Sequence, residues 1–217
     1  MKPSCLLPFA FAALALGSQD AYSQGDTFES RLGIHGRWAA EIRSVQDGSI
    51  ASGMGFSPGD LIVLVDGRPM RDFSSFGEFL GAIRESLKSD HLTLGVSRYD
   101  SSTLSYAPPK SISPPARKSG SPPVEMLGIQ STLTFVVDEV SPGRPADRMG
   151  IHAGETFLTL NGRGIGSLQG PAEADEILTR IHGSPDKEVN AVLLRGVARD
   201  HAVKPEAETR KVRGPLF

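Results

Sequence analysis

The sequence has one cysteine in 217 residues, Cys5. It lies ahead of the first apolar run, too early for a lipid attachment site. If the leader that contains it is removed, the remaining chain has no thiol for disulfides, for nucleophilic catalysis or for a cysteine-bound metal. Aromatic residues are scarce, at 6%, so a core has to be built from Leu, Ile, Val and Phe. Neither charge sign dominates: 23 Lys and Arg stand against 25 Asp and Glu, a formal net charge of −2. That balance gives no electrostatic reason to expect a nucleic-acid partner.

Signatures of catalysis are also missing. Gly55-Phe56-Ser57-Pro58-Gly59 has Gly-x-Ser-x-Gly spacing, but it follows a short Ala/Met segment and precedes the apolar run Leu61–Val65, not the strand-to-helix turn that a nucleophile elbow needs. The histidines, at positions 35, 91, 152, 182 and 201, are scattered and form no His-Glu-x-x-His pair. Gly162-Arg163-Gly164-Ile165-Gly166 lacks the Gly-Lys-Ser/Thr of a phosphate loop, and a hairpin turn explains its glycines better. Asp138, Glu139, Asp147 and Glu155 do not have the spacing of a metal loop. The expectation is a chain that is not an enzyme and carries no metal or other cofactor.

The one long apolar run is N-terminal. Lys2 precedes Leu6 to Leu16, a stretch short for a bilayer span, and Ala21-Tyr22-Ser23 offers small residues at signal-peptidase spacing. Ala15-Leu16-Gly17 is a competing cleavage site, and an uncleaved anchor is the alternative. The reading is a signal peptide over 1–23 and a periplasmic or secreted protein with no membrane span once it is cut. The lack of cysteine favours a bacterial envelope setting.

What is present is a duplication. Displaced by 95 residues, Leu32-Gly33-Ile34 falls on Leu127-Gly128-Ile129, Val45 on Val140, Gly48 on Gly143, Ala51 on Ala146, Met54-Gly55 on Met149-Gly150, Gly59 on Gly154 and Gly67-Arg68 on Gly162-Arg163. Ordinary composition gives about two or three such identities by chance over this stretch. The copies separate after Arg68 and realign at Leu92–Arg98 and Val189–Arg195. A period of this length suits one small domain per copy. Between them, Tyr99 to Val124 contains Pro108-Pro109, Pro114-Pro115 and Pro122-Pro123 and reads as a semi-extended linker.

Within each copy the order is loop, strand, short helix, strand, hairpin, helix, strand. Leu133, Phe135 and Val137 alternate as in a half-buried strand. Asp66-Gly67 and Asn161-Gly162 are type I′ hairpin signals. Ser75 and Glu78 have capping-box spacing ahead of the stripe Phe76, Phe79, Leu80, Ile83, Leu87. In copy two, Ala174, Ile177, Leu178 and Ile181 form the stripe, Pro171 suits the first helical position, and Gly183 follows the end.

Gly48 to Met70 and Ser141 to Ile165 resemble the PDZ signature of bacterial HtrA-type proteases, Ala-x-x-x-Gly, then Pro-Gly-Asp, an apolar strand and Asn/Asp-Gly, here without a protease domain. Copy two departs from it, with Ala153 for proline and Glu155 for aspartate. The resemblance implies an α+β fold: two PDZ-like domains, each a small antiparallel sheet or partial barrel flanked by one longer and one short helix. The boundaries are 1–23 signal, 24–30 extension, 31–99 first domain, 100–124 Pro/Ser-rich linker, 125–197 second domain and 198–217 charged flexible tail.

The resemblance further implies capture of extended peptides or C-termini. The carboxylate-binding loops are Arg31, Leu32, Gly33, Ile34 and Met126, Leu127, Gly128, Ile129. Their successive amides would form an anion nest, and the strand that follows would accept a peptide along its edge. Groove candidates are Trp38, Ala40, Ser75, Phe76 and Phe79 in copy one, and Leu133, Phe135, Ala174 and Ile177 in copy two. Glu125 ahead of the second loop would oppose a carboxylate if it points inward. The alternatives are a scaffold, or a regulatory subunit of an envelope complex or of a separate protease, with no recognition of C-termini.

Overall fold

The computed structural model describes residues 27–100, 102–103, 105–116, 126–182, 188–195 and 206–213. The expected signal segment, Glu125, Gly183, residues 117–124 of the expected linker, and 198–205 and 214–217 of the expected tail lie outside the described residues.

Helix α1 (Phe28–Leu32) is held at its start by Thr27, whose side chain accepts from the Ser30 amide, and closed by Gly33 at φ 71°. Strand β1 (Ile34–Val45) leads to α2 (Ile50–Gly53), capped by Ser49. Strand β2 (Leu61–Val65) turns back into β3 (Arg68–Pro69) through Asp66 and Gly67, with φ 50° and 80°, as a type I′ turn demands. A 3-10 turn precedes α3 (Phe76–Lys88), whose Glu78 amide donates to the Ser75 hydroxyl. The Glu78 carboxylate reaches one residue past the expected box, accepting from the Ser74 amide. Strand β4 (Leu94–Ser97) completes the first repeat. It is followed by β5 (Tyr99–Asp100), β6 (Ser105–Tyr106) and β7 (Lys110–Ile112).

The second repeat matches element for element: β8 (Ile129–Val140), α4 (Pro145–Arg148), β9 (Glu155–Leu160), β10 (Arg163–Gly164), a 3-10 turn, α5 (Pro171–His182) and β11 (Glu188–Arg195). Strand β12 (Glu206–Arg213) follows. The class is α+β with a large antiparallel sheet.

The sheet runs β12-β11-β9-β8-β1-β2-β4-β7, so the repeats meet at its centre. Strands β1 and β8 are antiparallel through eleven residue pairs, from Ile34 opposite Val140 to Val45 opposite Ile129. The ladder has a pseudo-two-fold axis near the Ala39–Thr134 pair. The residues bulged out on the two strands, Arg43 and Asp138, are themselves repeat equivalents. Gly36 at one bulge is required by space, because a Cβ there would stand 2.4 Å from the Val136 carbonyl.

The units expected over 31–99 and 125–197 share one sheet and one core. Leu32 and Leu127 belong to one hydrophobic core, with Trp38, Phe79, Phe135, Phe157 and Leu178. The 100–124 linker is corrected in its first half. Strand β7 adds to β4, and the β5–β6 hairpin lays Tyr99 and Tyr106 over Ala39, Leu61, Val63 and Val136 on the opposite sheet face. The strand expected to be half-buried is therefore covered on both sides, and Leu133 to Val137 are all buried. The 198–217 tail is corrected as well, since Glu206–Arg213 pairs with the whole of β11. In both corrections a short polar segment pairs with the open backbone groups of a sheet border.

Candidate binding site

The loop Arg31-Leu32-Gly33-Ile34 is the end of α1. Its Gly33 amide donates to the Glu29 carbonyl (2.8 Å) and so closes the helix. The Gly33 carbonyl accepts from the Ser141 amide of the second repeat (2.8 Å). The loop Met126-Leu127-Gly128-Ile129 repeats the contact, with the Gln46 amide donating to Gly128 (2.8 Å) and the Ala51 amide to Leu127 (3.0 Å). Both glycines have positive φ, 71° and 79°. A Cβ on Gly33 would meet Arg144 Cβ at 2.2 Å, and one on Gly128 would meet Ser49 Cβ at 2.3 Å. Each loop is thus seated against the cap of the other repeat's short helix. Arg31, Leu32, Ile34 and Leu127 are buried, whereas Met126 is 71% exposed.

The groove candidates are brought together, but inside the core. Trp38 lies opposite Phe135 and Ala40 opposite Leu133 in the central ladder, and all four are buried. The two strand edges expected to receive peptides are here partners of each other. That corrects the expected open borders at β1 and β8. Phe79, Ala174 and Ile177 are buried, and Phe79 packs edge-on against Phe73 at 5.2 Å. Ser75 caps α3, and the Phe76 amide donates across the pseudo-axis to the Gln169 carbonyl (2.5 Å). Pro171, the equivalent of Phe76, has no amide hydrogen with which to return that bond.

A cluster that the repeat pattern does not contain ties α1 to both copies. The ring of Phe28 contacts Trp38, Phe135 and Phe157 with centroids 5.0–5.7 Å apart. Its amide donates to Asp175 Oδ1 on α5 (2.5 Å). Glu29 Oε1 accepts from Trp38 Nε1 (2.8 Å) and from Arg71 (2.5 Å), and Arg71 also reaches Asp175 (3.2 Å). Burial raises the Glu29 carboxyl above the ordinary glutamate range, and the Arg71 guanidinium opposes the shift without cancelling it. Glu29 Oε2 is buried with no hydrogen-bond partner. Sequence reasoning missed this cluster because Glu29 precedes the duplicated stretch, and Arg71 and Asp175 fall where the copies have diverged.

Two further ion pairs fasten the sheet. Arg37 grips Asp138 through Nε (2.8 Å), Ser97 Oγ (2.7 Å) and the Ala107 carbonyl (3.1 Å), joining both repeats to the β5–β6 segment. Buried Glu155 receives both prongs of Arg210 from β12 (2.8 and 2.9 Å). Its repeat equivalent, Asp60, accepts from the Ser57 amide (2.9 Å) and faces Arg98 at 3.6 Å.

Among the described residues no group of three His, Cys, Asp or Glu side chains is placed to hold a metal ion, and no helix is long and apolar enough to cross a membrane. A cavity of about 540 Å³ opens between α2, the end of α3 and the Pro114-Pro115 segment, lined by Ile50, Leu87, His91 and Ser113. None of the loop or groove candidates lines it. What the geometry offers is main-chain hydrogen bonding and apolar packing between the two copies. No protein-family model matches the chain.

Proposed function

We propose that this chain is an exported, non-catalytic protein-binding scaffold whose two PDZ-like repeats clasp one another. The observation that carries the reading is the β1–β8 ladder. The strands and glycine loops that would receive a peptide are engaged across the pseudo-two-fold axis, each by the other copy. Geometry therefore favours the scaffold or regulatory-subunit reading over capture of C-termini at these grooves. Partners are proteins of the envelope, an assembly or a separate protease, met through surfaces away from the central ladder. Export is carried by the N-terminal run alone.

The test is a binding screen of the full chain against peptides with free and with amidated C-termini. The scaffold reading expects no preference for free carboxylates. Saturable binding that requires the free carboxylate, with amide shifts centred on Gly33 or Gly128, would overturn it. Envelope fractionation addresses export, which expects a processed N-terminus after Ser23 or Gly17.

A further inference from the structure

The two ends of the sheet are guarded differently. Strand β7 is three residues long, with Pro108-Pro109 before it and Pro114-Pro115 after it. Prolines at a border deny a second chain its donors. Strand β12 is eight residues long, contains no proline, and runs along β11 from Glu206 to Arg213 without a register shift. Among the described residues it ends the sheet, with Glu208, Thr209 and Lys211 exposed.

The charges on this border are ordered so that the strand complements itself. Two copies joined antiparallel about a two-fold axis keep matching faces only when one residue opposes itself at the axis. Centring on Glu208, Arg210 or Lys211 sets like charge against like, which is destabilising. Centring on Thr209 sets Thr209 against Thr209, Glu208 against Arg210 of the second copy, and Arg210 against its Glu208. The Arg210 guanidinium is held by buried Glu155 and lies 2.7 Å from Glu208 on the same strand.

We propose that β12 is a self-association edge, on which a second copy of this chain docks antiparallel in the Thr209-centred register and continues the sheet. Glu208 and Arg210 then form an alternating cluster of four charges around the axis. The inference does not rest on the scaffold reading, because it concerns the border farthest from the first repeat.

The test uses the full chain with Cys5→Ser, which leaves no native thiol. Sedimentation should show a concentration-dependent dimer, and Glu208→Lys should weaken it by about tenfold through two pairs turned repulsive. Thr209→Cys should cross-link on mild oxidation, since facing residues of an antiparallel pair lie about 4.5–5.5 Å apart, within disulfide reach. Lys211→Cys should not, because its two copies would lie roughly 13 Å apart along the strands. Sedimentation as a monomer, an unaffected dimer in Glu208→Lys, or equal cross-linking of the two cysteine variants would overturn the proposal.

Discussion

The amide of Ser141 donates to the carbonyl of Gly33 across the boundary between the repeats, at 2.8 Å. Displaced by the repeat period, the same bond runs from Gln46 to Gly128 at the same distance. Each copy completes a turn of the other, and the glycines at those turns are packed to contact.

Substituting them should therefore cost more than the backbone angle alone. Gly33→Ala and Gly128→Ala combine a left-handed conformation with a clash against Arg144 or Ser49, and each should lose about 2–4 kcal/mol in urea unfolding. Gly48→Ala and Gly143→Ala, also at positive φ but with nothing within 4 Å of the added atom, should lose only about 1–2 kcal/mol. Equal losses at the four sites would show that inter-repeat packing contributes nothing there.

The acidic residue opening β9 depends on its cation more than the one before β2 does. Arg210→Met leaves the Glu155 carboxylate, 1% exposed, without its guanidinium, and should cost about 3 kcal/mol or more. Arg98→Met removes a half-exposed partner 3.6 Å from Asp60 and should cost less than about 1 kcal/mol. Chemical denaturation of both variants reads the difference.

Glu29 supplies a pH signature. Because burial raises its carboxyl in the folded state, its stabilising contribution is full below the ordinary value of 4.5 and is lost as pH rises through the folded-state value. Wild type should thus gain stability relative to Glu29→Gln as pH falls toward 4.5, with a constant difference above that window. Trp38, the single tryptophan, donates to this carboxylate. Its emission should titrate in the same window and stay flat in Glu29→Gln. A stability difference moving in the opposite direction would contradict the account.

Phe28 is fully buried against aromatic rings of both repeats. Phe28→Ala should cost about 3–5 kcal/mol and shift Trp38 emission to the red. Half-buried Phe76→Ala should cost less and leave the emission in place. Thermal unfolding followed by fluorescence separates the two.

The order of elements was legible in the sequence because local chemistry sets it. Asp66-Gly67 and Asn161-Gly162 make the expected turns, Ser75 caps its helix, and Pro171 opens the other. The tertiary pairing was not legible. A strand able to accept a foreign peptide along its edge is equally able to accept its own duplicate, and residue pattern does not say which arrives. Strands β7 and β12 were hidden for another reason. They are short or highly charged, and what orders them is backbone pairing plus one buried ion pair, neither of which leaves an apolar period. The Glu29–Trp38–Arg71–Asp175 cluster joins positions far apart in the chain, so no spacing rule reaches it.

The near-symmetry of the central ladder bears on how such a chain arises. A solitary repeat would present one open edge of a twelve-residue strand and a glycine turn lacking its cap, and here the twin covers both. Fusing the twins end to end makes that union independent of dilution. It also frees the copies to diverge, one gaining a phenylalanine clamp ahead of its loop and the other an arginine-bearing strand behind it.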